Sequence, residues 1–146
     1  MREVEVKIRF VTPSLANLRC TDYDRFQRDA GHNVIFMSTW WKSIFEYGAQ
    51  ALGRHMETVR EIKVHPVIDG VPKRYKRYYG DGLYKEHEAF IVDDVIGIKV
   101  MLPDSIPYSD FLKILSLAGP YRGISPYKWS DGYGNFIPVS DPDEYR

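Results

Sequence analysis

Residues 95–120 read VIGIKVMLPDSIPYSDFLKILSLAGP, and the change of period inside this stretch decides the fold. Val95 to Leu102 reads as a strand, and Pro103 stops it, because proline has no N–H to give to a sheet ladder. From Ser109 onward the spacing is helical. Phe111, Leu112, Leu115 and Ala118 fall on one face, with Ser109 as the expected cap, Asp110 in the first turn and Gly119-Pro120 past the end. Farther on, NFIPVS at 135–140 reads as a short final strand. This half of the chain is therefore strand, helix, strand.

The other half repeats that order. Val4, Val6, Ile8 and Phe10 alternate with Glu3, Glu5, Lys7 and Arg9, the period-two pattern of a half-buried strand. Thr12-Pro13 ends it. Residues 14–37 show no sustained period and predict a long loop, with a short irregular helix near Asp24–Asp29. STWWKSIFEYGAQALG at 38–53 predicts a helix: Ser38 or Thr39 caps it, Trp41, Ile44, Phe45, Gly48, Ala51 and Leu52 keep helical spacing, and Gly53 follows the end. Gly48 costs about 1 kcal/mol against alanine in a helix, so a close neighbour is expected there. Residues 57–68 alternate again, with Ile62, Val64, Pro66 and Ile68 on one side, and Pro66 marks an edge or an end.

Strand-helix-strand twice over predicts an α+β, ferredoxin-like βαββαβ fold: an antiparallel four-stranded sheet with two helices on one face. Long loop insertions are expected at about 14–37 and 69–88, the second being a long hairpin or a flexible insertion between the turns DGVP and Gly80-Asp81-Gly82. A chain of 146 residues suits one domain over 1–146, and 44% hydrophobic with 27% charged residues suits an ordinary packed core.

Other features narrow the chemistry. Cys20 is the only cysteine, which excludes an internal disulfide and a cysteine-based zinc site. No apolar run approaches the ~18 residues of a membrane span, and the charged, alternating N-terminus is unlike a secretory signal, so a cytoplasmic protein with no membrane partner is expected. Lys and Arg total 20 and so do Asp and Glu, so net charge does not advertise nucleic-acid binding. Distribution says more: KRYKRYY at 73–79 holds four bases and three tyrosines without an acid, while the C-terminal SDPDEYR is acidic. The chain has no C-x-x-C loop, no aromatic RNP1-like strand, no G-x-x-x-x-G-K-S/T loop and no H-E-x-x-H. No cofactor and no metal site is expected.

The run from Ala118 to Phe136, AGPYRGISPYKWSDGYGNF, closes the second helix and opens the last strand. Together with FLKILSLAG before it, this run resembles the tail of the RAMP superfamily, ferredoxin-like RNA-binding proteins of CRISPR effector complexes, and is similar to small RAMP-like proteins encoded by phages. Gly119, Gly123, Ile124, Gly132, Gly134 and Phe136 carry the resemblance. Ser125 stands where a third loop glycine often occurs, and Asn135 where a basic residue often precedes the Phe. VTPSLANL after the first strand and the helix opening at Ser38-Thr39 are similar to the same layout. The resemblance implies the fold, RNA binding and, for a viral protein, the host cytoplasm.

Two segments are candidates to bind single-stranded RNA or DNA. In the glycine loop, Gly123 lets backbone approach a ligand, Arg122 and Lys128 supply charge, and Tyr121, Tyr127 or Trp129 can stack on bases; alternatively the loop only packs against the sheet. In the basic run, Lys73, Arg74, Lys76 and Arg77 can meet phosphates while Tyr75, Tyr78 or Tyr79 stack. As a strand it would place Arg74 and Lys76 on one face, Tyr75 and Arg77 on the other. It could equally be a solvated hairpin or meet an acidic protein. Three functions stay open: a non-catalytic nucleic-acid binder, alone or as a homo-oligomer; a protein-interaction module that engages or mimics a host complex of CRISPR type; and a metal-independent endoribonuclease using His32 and Tyr23. Asp93-Asp94 and Asp141, Asp143 and Glu144 could hold a cation but read equally as turn residues and solvated acids.

Overall fold

Alternation at the N-terminus makes the spine of the main sheet. In the computed structural model, which describes residues 1–20, 22–126 and 132–139, β1 runs from Arg2 to Phe10, with Val6, Ile8 and Phe10 buried and Glu5, Lys7 and Arg9 exposed. Strand β6 (Val95–Leu102) lies antiparallel to it, placing Val6 opposite Ile98 and Glu5 opposite Lys99. The last strand, β7 (Phe136–Val139), pairs with the other side of β1, and its Pro138 is tolerated because β7 is an edge. On the far side of β6 is β3 (Lys63–Val64), giving the order β3-β6-β1-β7 with every pair antiparallel.

Two helices cover the buried face. Helix α1 (Ser38–Ala51) turns Trp41, Ile44, Phe45 and Gly48 inward, and α2 (Tyr108–Ala118) turns Phe111, Leu112, Ile114 and Leu115 inward. They meet at Gly48, where an added Cβ would lie 2.4 Å from the Ile114 carbonyl oxygen. The close neighbour expected of this glycine is a backbone. The caps differ from expectation: Met37 and Pro107 occupy the N-cap positions, and neither makes a side-chain cap bond. Arg54, just beyond α1, forms an ion pair with Asp110 in the first turn of α2 and ties the two helix ends together.

A second sheet corrects the expectation of one four-stranded sheet with loop insertions. Residues Ser14–Leu15 (β2), Lys73–Tyr78 (β4) and Tyr84–Phe90 (β5) form an antiparallel sheet in the order β2-β5-β4. Both segments read as insertions thus contribute strands, and 69–88 takes its hairpin form. The irregular helix near Asp24–Asp29 is absent; 14–37 is instead stitched by single bridges, Leu18 to Arg25, Asp24 to His87, Arg28 to Val34 and Ile35 to Val67. One-residue pairings leave no period to read. The strand expected over 57–68 is shorter too. Residues Met56–Val59 form a 3-10 turn, and beyond Val64 the chain bulges, with His65 bonded to Lys99 and Asp69 to Gly97 across β6.

The molecule is mixed α+β, with two helices and two antiparallel sheets around one hydrophobic cluster. Aromatic rings make the junction between the sheets: Phe90 of β5 stacks on Phe10 at 5.8 Å and on Phe26 at 5.3 Å, with Phe36 edge-on. That junction anchors the base of the β4–β5 hairpin.

Candidate nucleic-acid interface

The basic run is a strand, and its register sorts its side chains. Arg74 opposes Glu88, Lys76 opposes Glu86 and Tyr78 opposes Tyr84 on one face; Lys73, Tyr75 and Arg77 oppose Ala89, His87 and Lys85 on the other. Tyr79 donates to the Leu83 carbonyl at 3.1 Å, which sets the alternation of the ladder. Tyr75 and Arg77 therefore exchange bonds with His87 and Lys85, while the N–H and C=O groups of Arg74, Lys76 and Tyr78 line the open edge of the sheet.

The first face is built from cations laid on rings. The guanidinium of Arg74 lies 4.1 Å from the centre of the Tyr23 ring and that of Arg25 lies 4.6 Å from it. Farther out, the Lys76 ammonium is 4.7 Å from the Tyr84 ring, which is 5.6 Å from that of Tyr78. Tyr78 is 64% exposed and Tyr84 44%. Such contacts hold a long cationic side chain over a flat surface while leaving it wet. Acids temper the charge: Arg74 is ion-paired with Glu86, and on the other face Lys73 is paired with Asp94. Lys76 has no carboxylate partner among the described residues.

The base of the hairpin is fixed by buried polar groups. Glu88 accepts from the Phe26 N–H at 2.9 Å and from Arg28 at 2.5 Å. His87 is fully buried; its Nδ1 lies 2.7 Å from the Ala16 carbonyl oxygen and its Nε2 accepts from the Arg77 Nε–H at 3.3 Å. Burial lowers the His87 pKa, against the pull of the Ala16 carbonyl and Asp24.

The glycine loop turns inward over the residues described. An added Cβ on Gly123 would lie 1.9 Å from the Tyr133 carbonyl oxygen, and Gly134 has φ of +76°. Gly134 donates to Pro13 and Ile124 donates to Gly134, while Ser14 and Ser125 hydrogen-bond to Ile124 and Leu15. Asn135, at the position where the resembled pattern often has a basic residue, is buried, with its amide donating to the Pro120 carbonyl at 2.9 Å and its oxygen accepting from Thr12 at 3.0 Å. These glycines serve close backbone packing. Arg122 lies 4.9 Å from the Tyr47 ring, beside the exposed Tyr121. Tyr127, Lys128 and Trp129, and the acids Asp141, Asp143 and Glu144, lie outside the described residues.

The two candidate catalytic residues have different surroundings. Tyr23 is clasped by two guanidinium groups on the second sheet, whereas His32, at φ of 64°, sits exposed in a turn closed by the Asp29 carboxylate on the Gly31 and Asn33 amides. Asp94 pairs with Lys73 and accepts from the Ile91 N–H. Among the described residues, no cluster of three or more His, Cys, Asp or Glu is placed to hold a metal ion, and no helix is long and apolar enough to cross a membrane. A concavity of about 1290 Å³ follows the open face of the main sheet, but Glu3 and Glu5 share it with Lys7, Lys63 and Lys99, so it offers no field of one sign.

Sequence reasoning missed Arg25 and Tyr84 as parts of the hairpin face. Tyr84 was within reach, since pairing the run across Gly80-Asp81-Gly82 sets it opposite Tyr78. Arg25 was not, because it arrives through the long-range bridge of Asp24 to His87. No protein-family model matches the chain, and no curated protein does.

Proposed function

We propose that this protein binds single-stranded nucleic acid, RNA or DNA, on the outer face of the β4–β5 hairpin and does so without catalysis. The observation that carries the reading is the alternation of cations and rings on that face, Arg25, Tyr23 and Arg74, then Lys76, Tyr84 and Tyr78. A flexible strand needs charge to follow its phosphates and flat surfaces for its bases, and this array offers both at strand spacing. Lys76 and Arg25 meet phosphate, while the exposed rings of Tyr78 and Tyr84 take bases. Arg122, Tyr121 and Tyr47 form a smaller cation–ring group at the root of the glycine loop and are a second contact.

The same reading includes a ferredoxin-like arrangement and kinship with RAMP-like proteins of phages. It is supported by the order β3-β6-β1-β7, by α1 lying between β1 and β3 in the chain, by α2 lying between β6 and β7, and by the glycine run that carries the resemblance.

Fluorescence anisotropy with labelled RNA and DNA strands of about 20 nucleotides tests the proposal, since sites of this kind cover roughly 4–16. Wild type should bind with strong salt dependence, and Lys76→Ala/Tyr84→Ala should lose about 1–3 kcal/mol for the stacked base plus part of the salt slope. Absence of binding by wild type at micromolar protein and low salt would overturn it. A second reading, a protein-interaction module, is favoured by the exposed tip of Tyr78, Tyr79, Leu83 and Tyr84 together with the acids that neutralise Lys73 and Arg74. Capture of a protein through that tip, with no oligonucleotide affinity, would favour it.

A further inference from the structure

We propose that His87 is a proton-operated latch that seats the basic strand β4 and releases it when the imidazole is protonated. The release itself stands on geometry alone; its consequence for nucleic acid rests on the function proposed above.

The tautomer follows from the partners. A carbonyl oxygen only accepts, so the hydrogen between His87 Nδ1 and the Ala16 oxygen, 2.7 Å away, belongs to the ring. Nε2 then keeps its lone pair and accepts from the Arg77 Nε–H at 3.3 Å. The neutral ring thus links three pieces of chain: the segment after β2 through Ala16, β5 through His87 itself, and β4 through Arg77. A second proton has only Nε2 to occupy. There it would set N–H against N–H and cation against cation.

The surroundings decide whether that charge is tolerated. Among the described residues, the charged groups facing the ring are the carboxylate of Asp24, 3.6 Å from Nδ1, the guanidinium of Arg77 on β4 and the ammonium of Lys85 on β5. Lys85 already holds the same Asp24 oxygen at 3.1 Å. Tyr75, opposite His87 in register, brings a phenol and neither an ammonium nor a carboxylate. Burial is the largest of the effects holding the ring neutral, and Arg77 and Lys85 add to it against the pull of the Ala16 carbonyl and Asp24. Movement of Arg77 together with β4 relieves both the like-charge contact and the burial. The other histidines of the chain that lie in the described residues, His32, His55 and His65, are exposed and have no such strand to hold.

Hydrogen exchange followed by NMR between pH 7.5 and 5.0, corrected for the intrinsic pH dependence of exchange, reads the latch directly. The probes are the Tyr75 and Arg77 amides, with the Val100 and Ile98 amides of β6 as reference. One linked proton predicts that protection of the β4 amides falls about tenfold per pH unit below the onset, while β6, which opens only with the whole fold, stays the better protected at every pH. His87→Asn, which keeps a donor for Ala16 and cannot titrate, should abolish the step. Arg77→Gln, which removes the opposing cation, should let the seated ring take its proton more readily and so shrink the step, leaving β4 protected farther into acid. Unchanged protection of β4, or equal protection of β4 and β6 at every pH, would overturn the latch. Oligonucleotide affinity measured in parallel separates the two proposals: an exchange step with no binding at any pH sinks the nucleic-acid reading and leaves the latch standing.

Discussion

At the scale of single residues, glycine and asparagine carry more of the architecture than their size suggests. Gly48 is the case where helix propensity and packing disagree. Alanine there would favour the helix by about 1 kcal/mol, yet its Cβ would sit 2.4 Å from the Ile114 oxygen and 2.6 Å from an Ile114 methyl. Overpacking of this kind costs roughly 1–3 kcal/mol, so Gly48→Ala should lower stability despite the better propensity. Urea unfolding monitored through the tryptophans checks it, and an unchanged or raised midpoint would mean the helices can part at no cost. Asn135 teaches the complementary point. Its side chain donates to the Pro120 carbonyl and accepts from the Thr12 hydroxyl at once, so a cation, which only donates, could not replace it without leaving that hydroxyl without its acceptor.

At the scale of elements, the β4–β5 hairpin sets positive side chains against negative ones across its own register. Glu86 draws Arg74 into an ion pair and so withholds part of its charge from any phosphate. Glu86→Gln should therefore raise affinity for a single strand several-fold and steepen the salt slope by about 0.7, the value for one additional cation meeting a single strand. Anisotropy titrations at three salt concentrations check this. An unchanged slope would place Arg74 away from the phosphates. The exposed pair is worth little to folding in itself, so the variant should keep its stability within about 1 kcal/mol.

At the scale of the whole molecule, acid acts on the fold through two groups of opposite kind. His87 is held below the ordinary imidazole value of 6.5, chiefly by burial, so the unfolded chain binds more protons than the folded one between that lowered value and 6.5. Stability is therefore full above this window and falls as pH drops through it. Asp29 is held below its ordinary 3.8, first by the Asn33 backbone N–H and then by the Asn33 side chain. Its contribution is present above 3.8 and is lost as pH falls through the lowered value. The thermal midpoint should accordingly decline between pH 7.5 and 5.5 in wild type and stay flatter in His87→Asn. Equal declines in both proteins would remove His87 as the cause.

The amino-acid sequence by itself determined β1, β6, β7 and both helices, and it left residues 69–88 open between a hairpin and a flexible insertion. Those signals are local: Val4 to Phe10 alternate because one sheet face meets the core, Trp41 to Gly48 and Phe111 to Ala118 repeat at helical spacing because one stripe does, and Gly80-Asp81-Gly82 turns the chain. Even the sorting of Arg74 and Lys76 from Tyr75 and Arg77 follows from a period of two. Only the tertiary structure decided that residues 14–37 are tied down by bridges, that a second sheet exists, and that Tyr23 and Arg25 join Arg74. The ties that seat this layer depend on one or two residues meeting distant partners, as Asp24 meets His87 and Arg28 meets Glu88. A contact between single residues far apart in the chain leaves no period in either segment, and so nothing for a local reading to find.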